Sequence, residues 1–195
     1  MNHPHIDGPS PWIARFAPLV PADARVLDLA AGAGRHARFF AARGAEVLAV
    51  DRDAAALASI GAVRGISTRV LDLEAGSWPL EGEAFDAIVV VNYLHRPLLD
   101  ALRAALAPDG VLLYETFARG NEAFGRPSNP DFLLRPGELL ALAARPPAMT
   151  VVAFEQGTAV SGAGGGVVQR IAATGPARPW PPALAAATGG GHGNA

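Results

Sequence analysis

Residues 25–40, RVLDLAAGAGRHARFF, decide the fold. Arg25–Leu29 (RVLDL) is a short apolar run of the kind that forms a strand buried on both faces. It passes through Ala30-Ala31-Gly32-Ala33-Gly34, where no side chain exceeds a methyl group, into GRHARFFAARG. In that segment Ala37, Phe40 and Ala41 fall on one helical face, and Gly44 stops the helix. Glu46–Val50 (EVLAV) is the next apolar run. Strand, small-residue turn, helix and strand in that order form a parallel crossover unit whose turn lets a ligand approach the backbone.

Working outward, the apolar runs Ser67–Leu71, Ala84–Val91 (AFDAIVVV) and Val111–Phe117 (VLLYETF) predict three more strands. A helix is predicted over Pro97–Ala107, where leucines 98, 99, 102 and 106 recur at helical spacing before Pro108-Asp109-Gly110. Upstream, Ser10-Pro11-Trp12 reads as an N-cap with proline at the first helical position. Asp72–Glu83 lacks helical periodicity and is expected to be a loop or a single turn. Met149–Glu155 and Gly166–Ala173 are strand-like and have no room for a crossover helix between them, so they pair antiparallel. The fold predicted is α/β, a Rossmann-like, seven-stranded, mainly parallel sheet with a terminal antiparallel strand and helices on both faces. Residues 1–9 form an N-terminal arm, 10–174 one domain, and 175–195, rich in Pro and Gly, a flexible tail.

The composition removes several chemistries. All 16 basic residues are arginines, which excludes a P-loop lysine and a Schiff-base lysine. With no cysteine there is no disulfide, thiolate nucleophile or Cys-ligated metal. His3, His5 and His192 lie near the ends and are not read as a metal site. A chain of 195 residues, 50% hydrophobic and 17% charged, can bury one core. Its net charge of −2 argues against a nucleic-acid partner. The segment MNHPHIDGPSPW has no basic or apolar leader pattern, and no stretch reaches the ~18 apolar residues of a membrane span, so a cytoplasmic protein without a membrane partner is expected.

Asp51 ends the second strand 17 residues beyond Gly34, where a carboxylate can accept two hydrogen bonds from a ribose diol. With the small-residue turn, this points to a cofactor containing a nucleoside. Two cofactors fit, and Gly32-Ala33-Gly34-Arg35-His36-Ala37 also matches the dinucleotide pattern G-x-G-x-x-A. Asp28 discriminates, because an anionic side chain beside the turn repels a pyrophosphate but can receive the ammonium of a methionine moiety. No second nucleotide-binding half is present to support a dehydrogenase.

The run DLAAGAG, with Asp51 and the pair Asp72-Leu73, resembles class I S-adenosylmethionine-dependent methyltransferases over roughly Trp12–Ala173; Ala30 stands where their D/E-x-G-x-G-x-G loop has its first glycine. The segments VVNYLHRPL and LLYETFARGNEAFGRPSNPDFLLRPGEL resemble a bacterial subgroup related to tellurite-resistance-type methyltransferases. The resemblance implies S-adenosyl-L-methionine as cofactor, Asp51 on the ribose, and Asp72 and Leu73 at the adenine. The cofactor set is completed by Asp28, Ala30, Gly32, Gly34, Arg52, Asn92 and His36, whose backbone amide starts the post-loop helix.

Candidate catalytic residues are Tyr93 and His95 after the fourth strand and Glu115 at the end of the fifth, where a buried charge needs a partner. In the long loop Ala118–Arg135, Arg119, Asn121, Arg126 and Arg135 are candidates for gripping a polar or anionic acceptor. The expected activity is in-line methyl transfer to a small molecule or oxyanion by a monomer or homodimer. A non-catalytic S-adenosylmethionine-binding protein and an NAD(P)-dependent oxidoreductase are the alternatives.

Overall fold

Past Arg25 every residue of β1 (Arg25–Leu29) is buried, and this strand lies inside the sheet of the computed structural model, which describes residues 8–161 and 164–184. The other strands are β2 (Glu46–Asp51), β3 (Ile66–Val70), β4 (Phe85–Val91), β5 (Leu106–Phe117), β6 (Thr150–Ser161) and β7 (Gly164–Thr174). Their order is β3-β2-β1-β4-β5-β7-β6, and β7 runs antiparallel to both of its neighbours. The last described strand is therefore antiparallel but sits inside the sheet rather than at its edge.

Side-chain alternation divides the core into two layers. Leu27, Leu29, Ile88, Val90 and Leu112 pack with α4 (Leu99–Ala104) and α5 (Glu138–Ala143). On the opposite face Val26, Ala87, Val89 and Leu113 pack with α1 (Pro11–Phe16), α2 (Arg35–Ala41) and α3 (Ala54–Ala58). In α1 the Ser10 hydroxyl caps the Trp12 amide, and Trp12, Ile13 and Phe16 are buried, a contribution of about 1.5–3 kcal/mol for each large side chain. No helix among the described residues is long and apolar enough to cross a membrane.

Two helices were not legible beforehand. In α3, AAALA buries only Leu57, so it has no apolar period, and its start is set by Asp53, which accepts from the amides of Ala55 and Ala56. The turn into α5 is made by Gly137 at φ 72°. The connection from β3 to β4 contains no helix, as its sequence predicts. Strand β5 begins five residues before Val111, because Leu106 already pairs with Phe85 and Pro108-Asp109-Gly110 is absorbed as an irregularity in the strand.

The expectation of a free tail from residue 175 is corrected by four hydrogen bonds. The amides of Gly175 and Ala177 donate to the carbonyls of Gly110 and Pro108 at 2.8 and 2.9 Å. The Arg178 guanidinium reaches the carbonyls of Asp109 and Leu19. Trp180, by contrast, is 72% exposed. Residues 185–195 lie outside the described part. Truncation after Gly175 removes three of these bonds, worth about 2–4 kcal/mol together, and should lower the thermal midpoint by roughly 5–10 °C. Truncation after Arg178 should leave the midpoint unchanged, and calorimetric scans of the two chains check both outcomes.

Candidate functional site

The turn after β1 is built from left-handed residues. Ala30, Gly32 and Gly34 have φ of 55°, 54° and 72°. Such angles cost an alanine about 1–2 kcal/mol, so Ala30→Gly should stabilise the chain by about 1 kcal/mol in denaturant titrations. A Cβ added at Gly32 would meet nothing within 4 Å, which leaves the backbone open there. Asp51 ties this turn to the end of β2. Its Oδ2 accepts from the Gly32 amide at 2.8 Å and its Oδ1 from the Asp53 amide at 2.9 Å, so each oxygen keeps a lone pair for a ligand.

Asp28 lies beneath the same turn, buried, with Oδ2 accepting from the Ala37 amide at 2.9 Å. Burial pushes its pKa up to about 7, against the pull of that hydrogen bond and of Arg35. A cation placed beside it would restore the ionised form. His36 is also buried, and its Nε2 accepts from the Ser10 amide at 3.2 Å. Burial, helped by Arg35, holds its pKa down to about 3, so the ring is neutral.

A cleft of about 410 Å³ opens beyond the C-terminal ends of the parallel strands. The β2 and β3 end is walled by Asp51, Arg52, Leu71, Asp72, Leu73 and Glu74. The β4 and β5 end is walled by Asn92, Tyr93, Leu94 and Thr116, with Pro127 and Phe132 contributed by the long loop. Asn92 turns the chain after β4 with φ 57°, while its amide donates to the Glu115 carbonyl at 2.9 Å. The Tyr93 carbonyl accepts from the Tyr114 hydroxyl at 2.9 Å. Burial, then the charges of Glu74 and Asp72, push the Tyr93 phenol well above its ordinary pKa. It is therefore a proton donor at neutral pH and not a base.

A family model described as a methyltransferase domain matches residues 26–110, from β1 into β5. The match covers 85 of the chain's 195 residues. The solved structures agree on the fold. TehB from Haemophilus influenzae is similar at TM-score 0.65 and 17% identity over 78% of this chain and 58% of that one, so the chain spans under two thirds of its length. An S-adenosylmethionine-dependent methyltransferase from Mesorhizobium loti matches at 0.65 and 19%, over 86% of this chain and 99% of that one. A TehB-like methyltransferase from Corynebacterium glutamicum matches at 0.61 and 20%, over 84% and 86%. No curated protein matches the chain by sequence.

Of the candidate residues, the fold brings Asp51, Arg52, Asp72, Leu73, Asn92 and Tyr93 to one cleft. Asp28, Ala30, Gly32 and Gly34 form the adjoining turn. The His36 amide lies in the first turn of α2, and its side chain serves the N-terminal segment. Three readings are corrected. Glu115 points to the other face of β5 from Thr116, where Oε2 accepts from the Ser10 hydroxyl at 2.8 Å and pairs with Arg170 at 3.1 Å. His95 caps a 3-10 turn with its carbonyl and does not line the cleft. In the loop, Arg119, Arg126 and Arg135 are exposed and absent from the cleft wall. Asn121 is buried and structural, its amide donating to the Pro127 carbonyl at 2.9 Å and its Oδ1 accepting from the Val167 amide at 3.2 Å. His3, His5 and His192 lie outside the described residues.

Sequence reasoning missed Leu71, Glu74, Leu94, Pro127 and Phe132 as cleft residues and did not use Thr116. Thr116 could have been found, because it shares a strand face with Tyr114 and ends a parallel strand. Phe132 carried no such signal: only the folded loop brings it to the wall.

Proposed function

We propose that this chain transfers the methyl group of S-adenosylmethionine to a small acceptor held between Asn92–Leu94 and the Pro127–Phe132 segment. The observation that carries the reading is Asp51, set at the head of the cleft with one lone pair free on each carboxylate oxygen. The residues fit the cofactor. Asp51 would hold the ribose diol, Leu73 and Asp72 would border the adenine, and the open backbone at Gly32 would face the methionine portion. Asp28 would meet the ammonium directly or through water, which offsets the cost of ionising a buried carboxyl.

Bound S-adenosylmethionine supplies a sulfonium methyl that is already activated. The chain's own work is orientation and exclusion of water. Tyr93 donates its hydroxyl hydrogen and takes no proton, so the acceptor's proton, where it has one, leaves to solvent. An oxyanion gripped by the loop arginines loses its support, since none of the three lines the cleft.

The direct test is turnover with methyl-labelled S-adenosylmethionine and a panel of small phenols, amines, N-heterocycles, carboxylates and metalloid oxyanions. The reading expects labelled product and S-adenosylhomocysteine in equal amounts with at least one of them. Formation of neither with any acceptor, in a chain that binds the cofactor, would reject transfer and leave a binding protein.

A further inference from the structure

We propose that the acceptor is an uncharged planar molecule, aromatic or heteroaromatic, that lies against the Phe132 ring and accepts a hydrogen bond from Tyr93, and that Arg96 is the positioning residue for Phe132. The proposal rests on the methyltransferase reading above and deepens it.

The distribution of charge is the first observation. Asp51, Arg52, Asp72 and Glu74 all stand at the nucleoside end of the cleft, whereas Asn92, Tyr93, Leu94, Thr116, Pro127 and Phe132 carry no formal charge. An anionic acceptor would find no cation at its own end and three carboxylates against one guanidinium at the other. A neutral one meets no such barrier.

The second observation is the way Phe132 is presented. Leu133 and Leu134, its successors, are fully buried, but Phe132 is 49% exposed on the cleft wall. Arg96 fixes the backbone on both sides of it. Its Nη1 donates to the Asp131 carbonyl at 2.7 Å and its Nη2 to the Leu133 carbonyl at 2.8 Å. The guanidinium is itself braced by Glu138, with Nε on Oε1 at 2.7 Å and Nη2 on Oε2 at 2.9 Å. Glu138 Oε2 accepts from the Arg135 amide as well, at 2.7 Å, closing the base of the loop. A bidentate, part-buried pair that also grips two carbonyls is a rigid mount, which a lysine could not reproduce. An aromatic ring held half in water by such a mount is a preformed stacking surface.

The third is the Tyr93 hydroxyl, which is buried and makes no hydrogen bond of good geometry, with Glu74 alone near enough to compete for it. Leaving a buried donor unpaired is costly, and a side-chain adjustment that opens it to an in-plane nitrogen or oxygen of the acceptor relieves that cost. In the transfer, an acceptor nitrogen or oxygen forms the bond to the methyl carbon while the carbon–sulfur pair stays on sulfur as S-adenosylhomocysteine. The acceptor's proton goes to water.

The test uses the full chain saturated with S-adenosylhomocysteine and four probes titrated by calorimetry at pH 7.5. They are 2-naphthol, 2-naphthoate, decahydro-2-naphthol and tellurite, which separate planarity from charge. The proposal expects 2-naphthol to bind at least tenfold more tightly than the other three. Phe132→Ala should weaken it at least tenfold and Phe132→Trp should retain it. Arg96→Met should weaken 2-naphthol without changing S-adenosylhomocysteine affinity, and the double variant Arg96→Met, Phe132→Ala should be no worse than Phe132→Ala alone, a non-additivity that a general loss of structure would not produce. The proposal is overturned by tighter binding of 2-naphthoate or tellurite, by wild-type affinity in Phe132→Ala, by additive losses, or by no probe binding at all. Failure to bind S-adenosylhomocysteine in the first place would instead reject the methyltransferase reading beneath it.

Discussion

Asp28→Asn should stabilise the ligand-free chain at pH 8 by about 2–4 kcal/mol, leave it unchanged near pH 4, and cut the affinity for S-adenosylhomocysteine by on the order of tenfold or more. The sign follows from the folded pKa of about 7 against 3.8. Between those values the folded state holds a proton that the unfolded chain has lost, so this group makes the wild type less stable as pH rises, and the full penalty is present above pH 7. Asparagine has no charge to bury and keeps an oxygen for the Ala37 amide. The ligand's ammonium favours the ionised carboxylate, so wild-type affinity should rise from pH 5 to 7 as binding releases the proton, and the variant should lose that dependence. Urea titrations at the two pH values and calorimetry across the range give both readouts. A variant that is less stable at pH 8, with undiminished affinity, would show that Asp28 is only a structural cap.

Asp51→Ala carries the second large effect. Losing a charged acceptor of two ribose hydroxyls should cost on the order of 1.5–3 kcal/mol per bond, or roughly 10²-fold or more in affinity for S-adenosylhomocysteine. The same substitution frees the amides of Gly32 and Asp53, which are exposed enough to turn to water, so the stability loss should be about 1 kcal/mol. Asp51→Asn should fall between, since one acceptor oxygen remains. Equal losses of stability and affinity in calorimetry would mean that Asp51 serves the turn alone.

The parts of this molecule that were legible in sequence are those where local and global requirements coincide. Arg25–Leu29 has the predicted bounds because Val26, Leu27 and Leu29 supply apolar side chains to both faces of a buried strand, with Asp28 as the single buried charge. Asp51 was placed by chain direction, since a residue ending a parallel strand lies on the ligand side of the sheet, whereas Asp72 came only from the family resemblance. Glu115 shows the limit of that logic. It ends a parallel strand too, but strand alternation points it to the opposite face, where Ser10 and Arg170 take it up. Which face it takes depends on the register of β5, and the start of that strand was hidden by Pro108-Asp109-Gly110. The loop misled for a related reason: its arginines were conspicuous in sequence, but the residue that organises it is Arg96, far away in the chain, through contacts to backbone carbonyls that leave no trace in composition.

The most direct test of the account is a calorimetric titration of the intact chain with S-adenosylhomocysteine and, separately, with NAD⁺ and NADP⁺. Saturable one-to-one binding of S-adenosylhomocysteine that is lost in Asp51→Ala, with no heat from either dinucleotide, is the predicted result. Binding of a dinucleotide, or S-adenosylhomocysteine affinity untouched by Asp51→Ala, would contradict it.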